Sequence, residues 1–165
     1  KKANYDYYLD RTLHKSSLSL SMHALVSSEL GDRGRAYRFF NAALHTDLSD
    51  IHRNTADGIH AACMGGTWQA LINGFAGIKI ERGFLSINPR LPNTWRKIIF
   101  TINFKGHLIK LELKNNLIKM QIITQKPKVK KMKVKIFDNF CELGFNKTYS
   151  FRRRRRAKEI HDFYL

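Results

Sequence analysis

The sequence predicts an α+β protein in two parts, a run of helices belonging to a larger helical domain and then a small antiparallel β-sandwich. Apolar residues recur at spacings of three and four up to Asn73 and at spacings of two from Ile78, so the period changes near Gly77. The chain has 165 residues, 43% of them hydrophobic, enough for one ordinary domain or two small ones. Three predicted helices cannot close a helical barrel or cover both sides of an Ala/Gly-rich third helix. The missing helices are expected upstream, because the chain opens without Met or a leader in what reads as a packed motif. The expected division is a helical part, residues 1–82, and a β part with a basic tail, residues 83–165.

The elements follow in order. Ser16 and Ser17 are N-cap candidates ahead of Leu18, Met22, Leu25, Val26 and Leu30, and Gly31-Asp32 supplies a stop, which predicts a helix over about 17–30. Beyond Asp32-Arg33-Gly34, the stripe Ala36, Phe39, Phe40, Ala43 and Leu44 predicts an antiparallel helix over 34–46. The polar stretch 47–58 leads to a third helix, Ile59 to Asn73, where Gly65-Gly66 lowers propensity but allows another backbone close. Alternating segments then predict strands at 78–81, 98–104, 108–113, 117–123, 132–137 and 140–145, with turns at Lys105-Gly106 and Lys114–Asn116. Lysines at alternate positions, such as Lys131, Lys133 and Lys135, mark a solvated face that discourages edge pairing. Ile87 to Pro92 reads as a stiff connector bringing Trp95 onto the sandwich.

Lys+Arg number 30 against 13 Asp+Glu, a net charge of +17. Residues 1–82 hold 10 basic and 8 acidic side chains and residues 83–165 hold 20 and 5, so the excess lies in the β part and points to an anionic partner or a biased end. No apolar run approaches the ~18–20 residues of a membrane span, and Lys1-Lys2 leads into Asn4, Tyr5 and Asp6, not an apolar signal core. A soluble, cytoplasmic chain without membrane contact is expected. Cys63 and Cys141 are too few and too far apart for a disulfide framework or a cysteine zinc site, so buried reduced thiols and no bound metal are expected.

Two polar strings carry the chemistry: Arg11-Thr12-Leu13-His14-Lys15-Ser16-Ser17-Leu18-Ser19 and Asn54-Thr55-Ala56-Asp57-Gly58-Ile59-His60-Ala61-Ala62. Both precede helix starts, where free N–H groups and the positive dipole end favour an anion, and hydroxyls, imidazoles and a close-approach glycine add to such a pocket. The plainer alternative has Ser16 or Ser17 capping the first helix, Thr55 or Asp57 capping the third, and both histidines as satisfied core residues.

Together with Tyr7-Tyr8, Gly31-Asp32, Ala36-Tyr37 and Asp47-Leu48-Ser49-Asp50, these strings and the run from Asn54 to Gly77 resemble glycoside hydrolase family 65. The resemblance covers about residues 5–77 and continues more weakly through Pro89-Arg90-Leu91-Pro92, Trp95 and the Phe104-Lys105-Gly106 turn. It implies an incomplete (α/α)6 barrel followed by the family's C-terminal β domain. That family includes inverting maltose, trehalose and kojibiose phosphorylases, so the resemblance implies a disaccharide and inorganic phosphate as substrates, giving a sugar 1-phosphate, with no cofactor and a homodimeric full-length enzyme. By position in the motifs, His60 is the leading phosphate contact, Ser16 and Ser17 come next, and His14 and Gly58 are weaker candidates. The family's general-acid Glu, with the Lys and Gln that hold the sugar, belongs upstream of this segment. No catalytic residue is therefore expected here, and the isolated chain should be inactive; Asp47, Asp50 and Asp57 are expected to make caps and structural hydrogen bonds.

A rival class rests on the five arginines Arg152–Arg156, which with Lys126, Lys128, Lys130, Lys131, Lys133 and Lys135 could bind nucleic acid or an anionic surface by neutralising phosphates. The β part lacks the aromatic signature of an RNA-recognition sheet, and its lysines alternate as a solvated face requires. Nucleic-acid binding is not expected.

Overall fold

The computed structural model describes residues 1–14, 16–50, 53–125 and 130–153. Four α-helices, α1 (Lys2–Leu9), α2 (Ser17–Leu30), α3 (Arg33–Leu48) and α4 (Ala61–Gln69), precede eight strands. A 3-10 turn at Thr55–Asp57 leads into α4, and a π-helical turn at Ala70–Phe75 continues it. The predicted helices at 17–30 and 34–46 are present, the second longer by a residue or two at each end. Helix α1 lay outside the prediction, since its sequence KANYDYYL carries only one buried side chain, Tyr5, and so no apolar stripe. The third predicted helix starts two residues later than expected, at Ala61, because His60 takes the N-cap position.

Local chemistry sets these ends. The Gly31 N–H bonds to Ser28 O at 3.1 Å and the Asp32 N–H to Ser27 O at 3.0 Å, with Gly31 left-handed at φ 85, a Schellman stop. Asp32 then caps α3, its Oδ1 accepting the Arg35 N–H at 2.9 Å. Small residues bring α2 and α4 together: a Cβ on Gly66 would lie 2.3 Å from Ser21 Oγ, and one on Gly74 would lie 3.3 Å from Leu25 Cα. Since 66 meets 21 and 74 meets 25, the two helices run parallel and begin at the same end of the layer. Helix α3 runs antiparallel between them in sequence, so its C-terminal end shares that rim.

The strands are β1 (Ile78–Glu81), β2 (Phe84–Ile87), β3 (Ile98–Phe104), β4 (His107–Lys114), β5 (Leu117–Ile123), β6 (Met132–Ile136), β7 (Asn139–Leu143) and β8 (Thr148–Arg152). They form two four-stranded sheets, β1-β2-β6-β7 and β3-β4-β5-β8. All pairs are antiparallel except β2 with β6, where the chain returns to the first sheet after building three strands of the second. Alternation places Ile109, Leu111 and Leu113 of β4 and Ile118, Met120 and Ile122 of β5 between the sheets, facing Leu85, Val134 and Ile136. Lys133 and Lys110 project outward, as expected.

Three features depart from the sequence reading. Strand β1 lies before the expected boundary at 82/83 yet hydrogen-bonds along β2, so the β part begins at Ile78. Strand β2 is not among the predicted strands, and only its last residue, Ile87, belongs to the predicted connector; it is four residues long and pairs back on β1 across the two-residue turn Arg82-Gly83, both at positive φ. Trp95 does not land on the sandwich. Its ring packs 5.2 Å from Phe75 and 5.6 Å from Phe40, and with buried Leu91 it completes the helical core, because that core is open on the side where the connector passes. Cys63 is buried and Cys141 half-buried, both as free thiols. No helix among the described residues is long and apolar enough to cross a membrane.

Candidate functional site

The parallel packing of α2 and α4 puts both helix starts, with Ser16 and Ser17 on one and Gly58 and His60 on the other, at the same end of the helical layer. At the α2 start, Ser16 occupies the N-cap with extended backbone, yet its hydroxyl makes no capping bond, and Ser17 opens the helix half-buried. At the α4 start, Gly58 is exposed at φ 121, a conformation that favours glycine, and its N–H is held by Thr55 O at 3.1 Å. No hydrogen bond among the described residues joins one start to the other.

His60 is the most tightly held of the candidates. Its backbone N–H donates to Asp47 Oδ2 at 3.0 Å, and its ring Nδ1 is hydrogen-bonded to Asp47 Oδ1. The hydrogen bonds from the His60 ring and from its backbone N–H hold the Asp47 carboxyl below the usual range, against a smaller effect of burial. The ring Nε2 lies 3.2 Å from Asn54 Nδ2. Asp50 Oδ1 accepts the N–H groups of Thr55 at 3.1 Å and Asn54 at 2.9 Å, which fixes the loop carrying Asn54. Asp47 and Asp50 thus make caps and structural bonds, as expected of them. Thr55 caps nothing on α4, since the 3-10 turn intervenes.

His14 lies in a second cluster. Its Nε2–H donates to Leu9 O at 2.8 Å and its Nδ1 accepts from Ser19 Oγ at 2.9 Å, while its ring stacks edge-on against His23 at 4.6 Å. Both ring nitrogens are spent on the protein. Sequence reasoning missed His23 and gave neither Asp47 nor Asn54 a link to His60; the proximity of Asp47 to His60 crosses 13 residues and no spacing rule announces it.

The described glutamates are all paired. Burial pushes the Glu29 carboxyl up, but Lys1 and Lys79 more than offset it and hold it below its ordinary range. Glu81 meets Lys135 at 3.0 Å, Glu142 meets Lys131 at 3.6 Å and Glu112 meets Lys119 at 3.9 Å. Glu29 also sits at the C-terminal end of α2, the end opposite His60. No three His, Cys, Asp or Glu side chains gather as a metal site among the described residues. Beside the rim, a groove of about 380 Å3 between α3 and α4 exposes Leu44, Leu48, Met64 and Trp68, with Leu48 82% exposed.

Comparison with known proteins gives two family matches in order along the chain. Residues 1–69 match the glycosyl hydrolase family 65 central catalytic domain, and residues 78–136 match the glycosyl hydrolase family 65 C-terminal domain. A kojibiose phosphorylase of Caldanaerobacter subterraneus subsp. tengcongensis is 47% identical over 67% of this chain and 14% of its own length. A kojibiose phosphorylase of Halothermothrix orenii is 37% identical over 89% of this chain and 19% of its own. An α,α-trehalose phosphorylase of Thermoanaerobacter brockii is 42% identical over 68% and 14%. A solved structure from the human microbiome, named for kojibiose phosphorylase, superposes with a TM-score of 0.80 at 29% identity, covering 93% of this chain and 22% of that one. The chain spans less than a quarter of the length of each of these relatives.

Proposed function

Since the chain belongs to glycosyl hydrolase family 65, we propose that it is the C-terminal part of an inverting glycoside phosphorylase that cleaves a glucosyl disaccharide with inorganic phosphate. The observation that carries this is the ordered pair of family matches falling on the helical and β parts. In the proposed reaction a phosphate oxygen bonds to the anomeric carbon as the C1–O bond to the leaving sugar breaks, and a carboxylic acid gives its proton to the departing oxygen. The product is a sugar 1-phosphate of inverted configuration. Phosphate takes the place a hydrolase gives to water and a base carboxylate.

In this reading the rim formed by the α2 and α4 starts holds the phosphate, with His60 first, Ser16 and Ser17 next, and His14 and Gly58 in support. The Ser16 hydroxyl, which makes no capping bond, and the helix N-terminus at Ser17 favour an anion there. His14 has the smaller share because its nitrogens serve Leu9 and Ser19. The proton donor is supplied from outside this segment, as each described glutamate lies in an ion pair. The same reading carries a cytoplasmic homodimer that uses phosphate as co-substrate and no cofactor. The test is His60→Ala in the full-length enzyme. Phosphorolysis and arsenolysis should both fall on the order of 10²-fold, the scale of one lost preorganised donor, and slow hydrolysis by water should fall far less. An unchanged KM for phosphate together with an unchanged kcat would make His60 a core residue.

The nucleic-acid alternative gains nothing from the described part of its arginine run. Arg152 pairs with Leu117 at the end of β8, and the Arg153 guanidinium donates to Asn88 Oδ1 at 2.5 Å and lies 4.5 Å above the Phe137 ring. Arg154, Arg155 and Arg156, with Lys126 and Lys128, lie outside the described residues.

A further inference from the structure

The His60 ring is gripped from two elements. Asp47, in the last turn of α3, accepts from the backbone N–H through one carboxylate oxygen and meets ring Nδ1 through the other. Asn54 places its Nδ2 3.2 Å from the opposite ring nitrogen, Nε2. A neutral imidazole so placed carries its proton on Nδ1 and presents a lone pair at Nε2. An unprotonated phosphate oxygen can only accept, so it binds at Nε2 only when that nitrogen also carries a proton. The Asp47 carboxylate offsets the positive charge of the doubly protonated ring on one side, and the anion would offset it on the other.

Asn54 supplies an independent observation. Its Oδ1 is buried without a hydrogen-bond partner among the described residues, an uncommon state for an amide oxygen. Turning the carboxamide over exchanges its ends, and Oδ1 then accepts from Nε2–H. The amide can therefore face either form of the ring, and it occupies the side of the ring from which an anion would approach. The other titratable groups nearby are already engaged: Asp50 holds the N–H groups of Asn54 and Thr55, and the Cys63 thiol points to Ala43 O and Thr46 Oγ1.

We propose that Asp47 is a positioning residue for phosphate, fixing His60 through Nδ1 so that Nε2 alone meets the anion as a donor, with the Asn54 amide holding that place until the anion displaces it. The proposal rests on the assignment of His60 as a phosphate contact. It gives the segment a part in the reaction that is neither proton donation nor sugar binding.

The test is a titration of the 165-residue chain with inorganic phosphate, followed by long-range 15N–1H NMR of the His60 ring, in the wild type, Asp47→Asn and Asn54→Ala. In the wild type the ring should carry its proton on Nδ1 without phosphate and on both nitrogens at saturation. Asp47→Asn keeps an oxygen for Nδ1–H but loses the charge, and it should weaken phosphate about tenfold as a charge-assisted hydrogen bond gives way to a neutral one. Asn54→Ala removes the placeholder and should bind phosphate no more weakly than the wild type, whereas a merely structural Asn54 would weaken it. Backbone amide spectra establish that each variant is folded. Wild-type affinity in Asp47→Asn overturns the proposal and leaves the His60 contact standing. A wild-type ring protonated on Nε2 alone before phosphate is added also overturns it, and needs no variant. Phosphate that leaves the wild-type ring signals unmoved removes the His60 contact itself, and the proposal with it.

Discussion

Replacing Gly77 by alanine should unfold this chain at a markedly lower temperature. Gly77 has φ +63, and a Cβ built there would lie 1.9 Å from the backbone oxygen of Asn88 and 2.5 Å from its carbonyl carbon. Backbone cannot swing aside as a side-chain tip can, so the crossing of the two segments must open. The left-handed conformation costs an alanine roughly 1–2 kcal/mol. Opening the crossing also endangers two backbone bonds, Asn88 N–H to Gly77 O at 3.0 Å and Arg90 N–H to Phe75 O at 2.7 Å, each worth about 1 kcal/mol net. The total is about 3–4 kcal/mol, or roughly 6–15 °C in Tm for a chain of this size. Gly83→Ala is the control, because Gly83 has φ +80 but nothing within 4 Å of the added carbon; it should lose only the conformational 1–2 kcal/mol. Thermal unfolding followed by far-UV circular dichroism measures both. Equal Tm values for the two variants would show that the close approach to Asn88 does not hold the helical and β parts together.

Acid should weaken the junction through Glu29: a carboxyl held below its ordinary value of 4.5 stabilises the fold fully above that value and loses its contribution as pH falls through the lowered one. Glu29→Gln should therefore flatten the fall in urea midpoint below about pH 4.5 and change its slope little above pH 6. Arg153→Ala should cost about 1–2 kcal/mol of stability, from the Asn88 hydrogen bond and the Phe137 ring contact, while leaving duplex DNA affinity across a salt series unchanged. The purified chain should form no sugar 1-phosphate from maltose, trehalose or kojibiose, since general-acid assistance alone is worth typically 10²–10⁴-fold; phosphate-release assays check this, and steady turnover would place a proton donor within these residues.

Periodicity in the sequence located α2, α3 and the long strands because each has an uninterrupted face buried against one neighbour, as Ile109, Leu111 and Leu113 show. It failed where length or partner was short. Strand β2 spans four residues, the last three buried in a row, so it shows no alternation, and its second partner β6 arrives 45 residues later. Trp95 was legible as a buried aromatic but not as a plug for the helices, because its partners Phe40 and Phe75 lie in segments whose exposed sides only the fold reveals. The helix starts of the candidate site were visible as Ser/Gly/His strings. The Asp47 grip on His60 was not, since it depends on the end of α3 meeting the start of α4.

The plug has a consequence for anyone dissecting this protein. The family matches part company between residues 69 and 78, and a cut there looks natural, yet Leu91 and Trp95 are chain-distant members of the helical interior. A helical piece ending at Gly77 would leave Phe40 and Phe75 lining an empty hollow, while the excised strands would carry a sticky tryptophan in search of cover. A tractable split would instead have the helices expressed with residues 88–97 returned as a separate peptide, and the concentration of peptide needed to restore the fold would read out how strongly the two halves hold each other.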